Sequence, residues 1–139
     1  MDNRLVAAAV IVTTLGAAGC ASQPPALGGT TAKVTINGQS TGAPLPVTCS
    51  QAGFLWTIAT TNEDKGFTAA LETGDEVKVE SVDFRDLGGF TGTFWRDNIG
   101  NAEVTGTGGT FTITGEADGS FTDNPNSSVT ATFRIEADC

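Results

Sequence analysis

Between residues 129 and 136 the chain alternates without exception. Val129, Ala131, Phe133 and Ile135 fall on one side of an extended backbone, and Thr130, Thr132, Arg134 and Glu136 on the other. A period of two residues is the signature of a strand with one face in a core and one in water. Elsewhere Thr, Val, Phe and Gly alternate over short runs, and no helical periodicity lasts more than a turn or two. A chain of this kind can bury its apolar faces only by packing strands on strands. The expected fold is therefore all-β, a small antiparallel β-sandwich or half-open barrel of about eight short strands.

The other strands are marked by what interrupts them. "KVTI" ends at Asn37-Gly38, a tight-turn dipeptide, and "LPVTC" follows a Gly- and Pro-containing segment. "FLWTIATT" is expected to place Phe54, Trp56 and Ile58 on one face, with "NEDKG" turning the chain into "FTAALE". In "VKVESVDF", Val77 and Val79 share one phase while Val82 and Phe84 take the other. This predicts a bulge near Ser81 or a strand buried on both faces. "FTGTFW", "AEVTG" and "FTITG" complete the set before the final strand. The segment "EADGSFTDNPN" reads as loop punctuation.

The amino-terminal part obeys different rules. "MDNR" carries the terminal amine and Arg4, and residues 5–18, "LVAAAVIVTTLGAA", hold no charge. Such a run is shorter than the roughly 20 residues of a membrane-spanning helix and has the layout of a secretory signal. Ala17, Ala18 and Gly19 lead directly into Cys20, which resembles a bacterial lipobox, although Leu stands at position 15 and Ala17 occupies the place the motif favours for it. That motif implies a diacylglycerol thioether on Cys20, cleavage before it and acylation of the new amino group. Two or three acyl chains anchor a protein stably where one does not. Residues 1–19 are accordingly expected to be a signal peptide, 20–32 an acylated cysteine with a flexible Pro- and Gly-rich tether, and 33–139 a single β domain.

Removing residues 1–19 takes away one acid, Asp2, and one base, Arg4, so the net charge of −9 is unchanged. A chain this acidic is repelled by nucleic acid and by anionic head groups, which excludes phosphate-backbone binding and polybasic membrane attachment. Export to an oxidising compartment would favour pairing of the two remaining cysteines, Cys49 and Cys139, with two free thiols as the alternative. Neither has a second cysteine or a histidine near it, so a metal site is not expected.

Catalysis has little to draw on. There is no histidine and no tyrosine, so the commonest general base and the histidine-activated nucleophiles are missing. Carboxylate clusters remain at Asp83, Arg85 and Asp86 and at Glu72, Asp75 and Glu76, but such groupings are more often surface ion pairs. Asp118, Asp123, Asn124 and Asn126 lack the spacing of a calcium loop, and Asn126-Ser127-Ser128 matches the N-glycosylation pattern. No enzyme and no cofactor is expected. Eight Phe and two Trp either fill a small core or leave an aromatic face for an acyl chain, with Trp56, Phe94 and Trp95 as candidate ligand-face residues. Phe94 and Trp95, adjacent on one strand, must point to opposite sides.

The succession "VTING", "VTCS", "GNAEV", "FTITGEADG" and "FRIEADC" resembles the mycobacterial nineteen-kilodalton lipoprotein antigen family, LpqH-like lipoproteins, over roughly residues 33–139. Its most specific parts are the two cysteines, Gly100-Asn101-Ala102, and Ile113-Thr114-Gly115 followed by Ala117 and Gly119. The family's tether is often longer and carries O-linked mannose; here only Ser22, Thr30 and Thr31 offer hydroxyls. The resemblance implies a lipoprotein on the outer face of the cell membrane, held by its acylated amino terminus. It also implies an antigen recognised by host Toll-like receptor 2, with no catalytic residue. The alternatives are a lipid or glycolipid binding or transport module of the envelope, and an adhesin-like protein-binding domain.

Overall fold

The computed structural model describes residues 30–139. Cys20 and the signal segment lie outside the described residues. Ten strands follow one another: β1 (Thr31–Ile36), β2 (Gln39–Ser40), β3 (Leu45–Ala52), β4 (Leu55–Thr60), β5 (Gly66–Glu72), β6 (Lys78–Leu87), β7 (Phe90–Trp95), β8 (Asn101–Thr107), β9 (Thr110–Phe121) and β10 (Asn124–Asp138). Every pairing is antiparallel. The path β1-β3-β4-β5-β6-β7-β9-β10 returns to β1, so the sheet closes on itself as a barrel. β2 is a short addition to β1, and β8 lies along the first half of β9, in line with β7.

Alternation carries the core. On β10, Ala131, Phe133, Ile135 and Ala137 are buried while Thr130, Thr132 and Arg134 face water, as their spacing predicts. Inside, the Phe84 ring packs against Phe90 at 5.8 Å and edge-on to Phe133 at 5.1 Å, and Phe90 meets Phe121 at 5.3 Å. Rings from β6, β7, β9 and β10 therefore fill the same interior, each large apolar side chain contributing about 1.5–3 kcal/mol by leaving water.

The phase change in β6 is a bulge. Ala70 pairs with Ser81 and Leu71 with Val79, leaving Glu80 as the extra residue, so Val79 and Val82 both reach the core. Val77, expected to share the Val79 face, stands before the strand and is 37% exposed. Phe54 departs further from expectation. It does not join Trp56 and Ile58 on a strand face but forms the tip of the β3–β4 hairpin, 74% exposed, because Gly53 at φ 60° turns the chain there.

The segment 116–126 is likewise not a loop. β9 and β10 run through most of it and turn only at Thr122 and Asp123, with a register irregularity between Asn124 and Val129. Asp118 sits within β9, and its carboxylate accepts a 2.7 Å hydrogen bond from Thr130 across the pair. Two glycines make the crowding of β9 tolerable. A Cβ on Gly119 would stand 2.0 Å from the Thr91 carbonyl oxygen of β7, and one on Gly115 2.1 Å from that of Asn101 on β8. Glycine inside a strand marks such close backbone approach.

Candidate functional site

The end of the barrel at which the described chain enters is the most informative region. β1 begins at Thr31, opposite Pro46 on one side and Asp138 on the other. β3 continues past that point, so its later residues have no β1 residue beside them. There Cys49 of β3 is bonded to Cys139, which follows β10, with Cα atoms 5.9 Å apart and 90 residues of chain between them. The bridge joins the two strands that flank β1 and leaves no free thiol among the described residues. Closing a loop of this size contributes on the order of 4–5 kcal/mol through the unfolded chain. Next to the bridge, the Cys139 amide donates to the Gly109 carbonyl at 2.8 Å and that of Val47 to Thr30 at 3.0 Å.

Around the same rim the circuit is less tightly sealed. β6 pairs with β7 only as far as Ser81 opposite Trp95, and β8, which carries on in the line of β7, pairs with β9 alone. Between them lies an open cleft of about 430 Å³ lined by Val77, Lys78, Val79, Arg96, Ala102 and Val104, among others. At its edge the Arg96 guanidinium binds Glu72 at 3.1 Å and also Glu80, and its amide donates to the Glu80 carbonyl at 2.9 Å. The two carboxyl groups act on each other. A hydrogen bond with Glu72, then burial, raises the Glu80 carboxyl above the ordinary range, while hydrogen bonds from Glu80 and then Arg96 lower that of Glu72. This is an ion-paired clasp where the sheet loosens, and sequence reading passed over Arg96 because its partners come from β5 and β6.

The candidate aromatic residues do not form one face. Phe94 is 2% exposed in the core, Trp95 is 55% exposed on the other side of β7, and Trp56 is half-buried with its ring 5.8 Å from Phe111. The acidic clusters resolve into structural contacts. Asp83 accepts from Thr93 at 2.7 Å, Asp86 accepts from Thr122 and pairs with Lys65, and Arg85 donates to the Glu63 carbonyl and to Thr68. Glu76 approaches Lys78 at 3.9 Å. Among the described residues no three His, Cys, Asp or Glu side chains are grouped to hold a metal ion.

These features define a class, the small antiparallel β-barrel closed by a disulfide across its entry seam. The chain matches the family described as Mycobacterium 19 kDa lipoprotein antigen over residues 25–139, and it belongs to that family. It is 37% identical over the full length of both chains to a Mycobacterium tuberculosis protein named "Probable lipoprotein LppE". Identity is 35%, again over the full length of both, to a protein of Mycobacterium indicus pranii named as a lipoprotein. With Lipoprotein LpqH of Mycobacterium bovis it shares 35% identity over 77% of this chain and 68% of that protein. Gly115 and Gly119, two of the residues that carry the resemblance in the sequence, lie where β8 and β7 meet β9.

Proposed function

We propose that this chain is a lipid-anchored envelope antigen: acylated Cys20 holds the barrel on the outer face of the cell membrane, and host Toll-like receptor 2 reads the acylated amino terminus. The observation that carries this reading is the position of Cys20, directly after an uncharged run and ten residues before the first described residue, Thr30. Membership in a family of lipoproteins supports it. The barrel then serves as a disulfide-stapled body on a short tether. Carriage of a lipid inside it would need space that the Phe84, Phe90 and Phe133 rings occupy.

The test is expression of the full chain in a mycobacterial host, with detergent-phase partitioning, the mass of the amino-terminal peptide and a Toll-like receptor 2 reporter assay. Wild type is expected in the detergent phase with a diacylglyceryl-modified Cys20 peptide and receptor activity. Cys20→Ala is expected to lose all three. Unmodified Cys20 in a detergent-phase protein would overturn the reading, and native mass spectrometry showing stoichiometric foreign lipid on the variant would favour a carrier.

A further inference from the structure

The large apolar residues left exposed on the described chain are Phe54, Leu55, Val77 and Trp95. Trp95 ends β7 on the outer wall opposite Ser81, and the other three lie beyond it at the same end of the barrel. Phe54 and Leu55 are at the β3–β4 hairpin, Leu55 pairs with Glu72 and Glu72 with Lys78, and Val77 directly precedes Lys78. This is the end at which the chain enters. Pro46 lies opposite Thr31, so Val47–Ala52 carry the hairpin past the entry point by six residues, roughly 20 Å along the strand.

The hairpin tip is held rather than loose. The Phe54 carbonyl accepts hydrogen bonds from the Thr73 amide at 2.6 Å and the Thr73 hydroxyl at 3.0 Å, and the Gln51 side chain donates to the Gly53 carbonyl at 3.0 Å. A fixed backbone that displays a phenylalanine at 74% exposure is presenting it. A segment of ten residues, the count from Cys20 to Thr30, would span roughly 17 Å as a coil and about 33 Å fully extended. That range brackets the projection of the hairpin.

We propose that the Phe54 hairpin tip, with Leu55 and Val77 beside it, docks onto the lipid bilayer that holds the Cys20 anchor, so that the barrel stands on the membrane in one orientation. The proposal rests on acylation of Cys20. Tethering makes the contact intramolecular, so a weak apolar insertion suffices. Glu72, Asp75, Glu76 and Glu80 lie at the same end and outnumber Lys78 and Arg96, so the surface it fits is zwitterionic rather than anionic.

The experiment uses the acylated full chain in phosphatidylcholine vesicles, with 4-fluorophenylalanine at position 54 or, as a control at the other end, at position 121. Nitroxide-labelled lipid is expected to broaden the fluorine signal at 54 severalfold and leave that at 121 little changed, and replacing half the lipid with phosphatidylglycerol should at least halve the effect. Phe54→Ser should still float with the vesicles. Equal broadening at both positions, or none, in a protein that floats overturns the docking while the anchor stands. Failure of the wild type to float overturns both.

Discussion

Cys49 and Cys139 are bonded across the two strands that enclose β1, although 90 residues separate them. The carboxyl-terminal residue of the described chain is thereby fixed to an early strand at the point where β1 can no longer bridge the sheet. Cys139→Ser should destabilise the domain by about 2–5 kcal/mol. For a domain of this size that lowers Tm by roughly 10–20 °C. Thermal melts of wild type and variant should differ by this amount without reductant and converge once dithiothreitol is added. Coincident unreduced melts would show the bridge to be energetically idle.

The handover from β7 to β8 along β9 depends on Gly115 and Gly119. Because a Cβ at either would meet a backbone carbonyl, which cannot rotate away, Gly119→Ala should cost more than about 2 kcal/mol, against a strand-propensity effect of opposite sign. Gly74, whose Cβ would meet nothing within 4 Å, supplies the comparison. Gly74→Ala should fall within about 0.5 kcal/mol of wild type in urea unfolding. Equal midpoints for the two variants would mean that the sheet relaxes freely there.

Much of this fold was legible because burial on one face writes a two-residue period into the sequence. The β10 alternation and the β6 phase slip both correspond to what the barrel does. The disulfide was legible from a count of cysteines. Closure was not, because pairing of β10 with both β1 and β9 depends on strand tilt rather than on any local pattern. The same limit explains Phe54. Its spacing matches Trp56 and Ile58, and only the preceding Gly53 signals that the strand has not yet begun. The segment from Glu116 to Asn126 misled in the other direction. Its polar residues form cross-strand pairs such as Thr130 with Asp118, which composition alone cannot distinguish from a loop.

The Arg96 clasp has a pH signature of its own. The raised Glu80 carboxyl binds its proton more tightly in the fold than in the unfolded chain, so its contribution is present at low pH and is lost as pH rises through its folded pKa. The lowered Glu72 acts oppositely, stabilising above its unfolded pKa and losing that contribution as pH falls through the folded one. Carbon-detected NMR titration of the glutamate carboxyls should show Glu80 titrating above the ordinary range and Glu72 below it. In Glu72→Ala the hydrogen bond that chiefly raises Glu80 is gone together with the neighbouring charge, and its midpoint should move down. An unmoved midpoint would assign the shift to burial instead.

Thr60 is the buried polar residue among the described hydrophobic core, 7% exposed, and its hydroxyl is fully engaged. It accepts from the Phe67 amide at 3.0 Å and from Arg85 at 3.4 Å, and lies 3.2 Å from the Phe67 carbonyl as donor. Gly66 makes room for it, since a Cβ there would come within 1.8 Å of the Thr60 hydroxyl oxygen. Together these contacts fix the β4–β5 turn and orient Arg85 along the wall of the barrel. Thr60→Val keeps the shape but leaves the Phe67 amide without an acceptor, a loss of about 1–3 kcal/mol. Thr60→Ser keeps the hydroxyl and should lose less, the difference measuring the hydrogen bonds rather than the methyl. Urea unfolding of the two variants decides it, and a valine variant as stable as the serine one would place the stabilisation in packing.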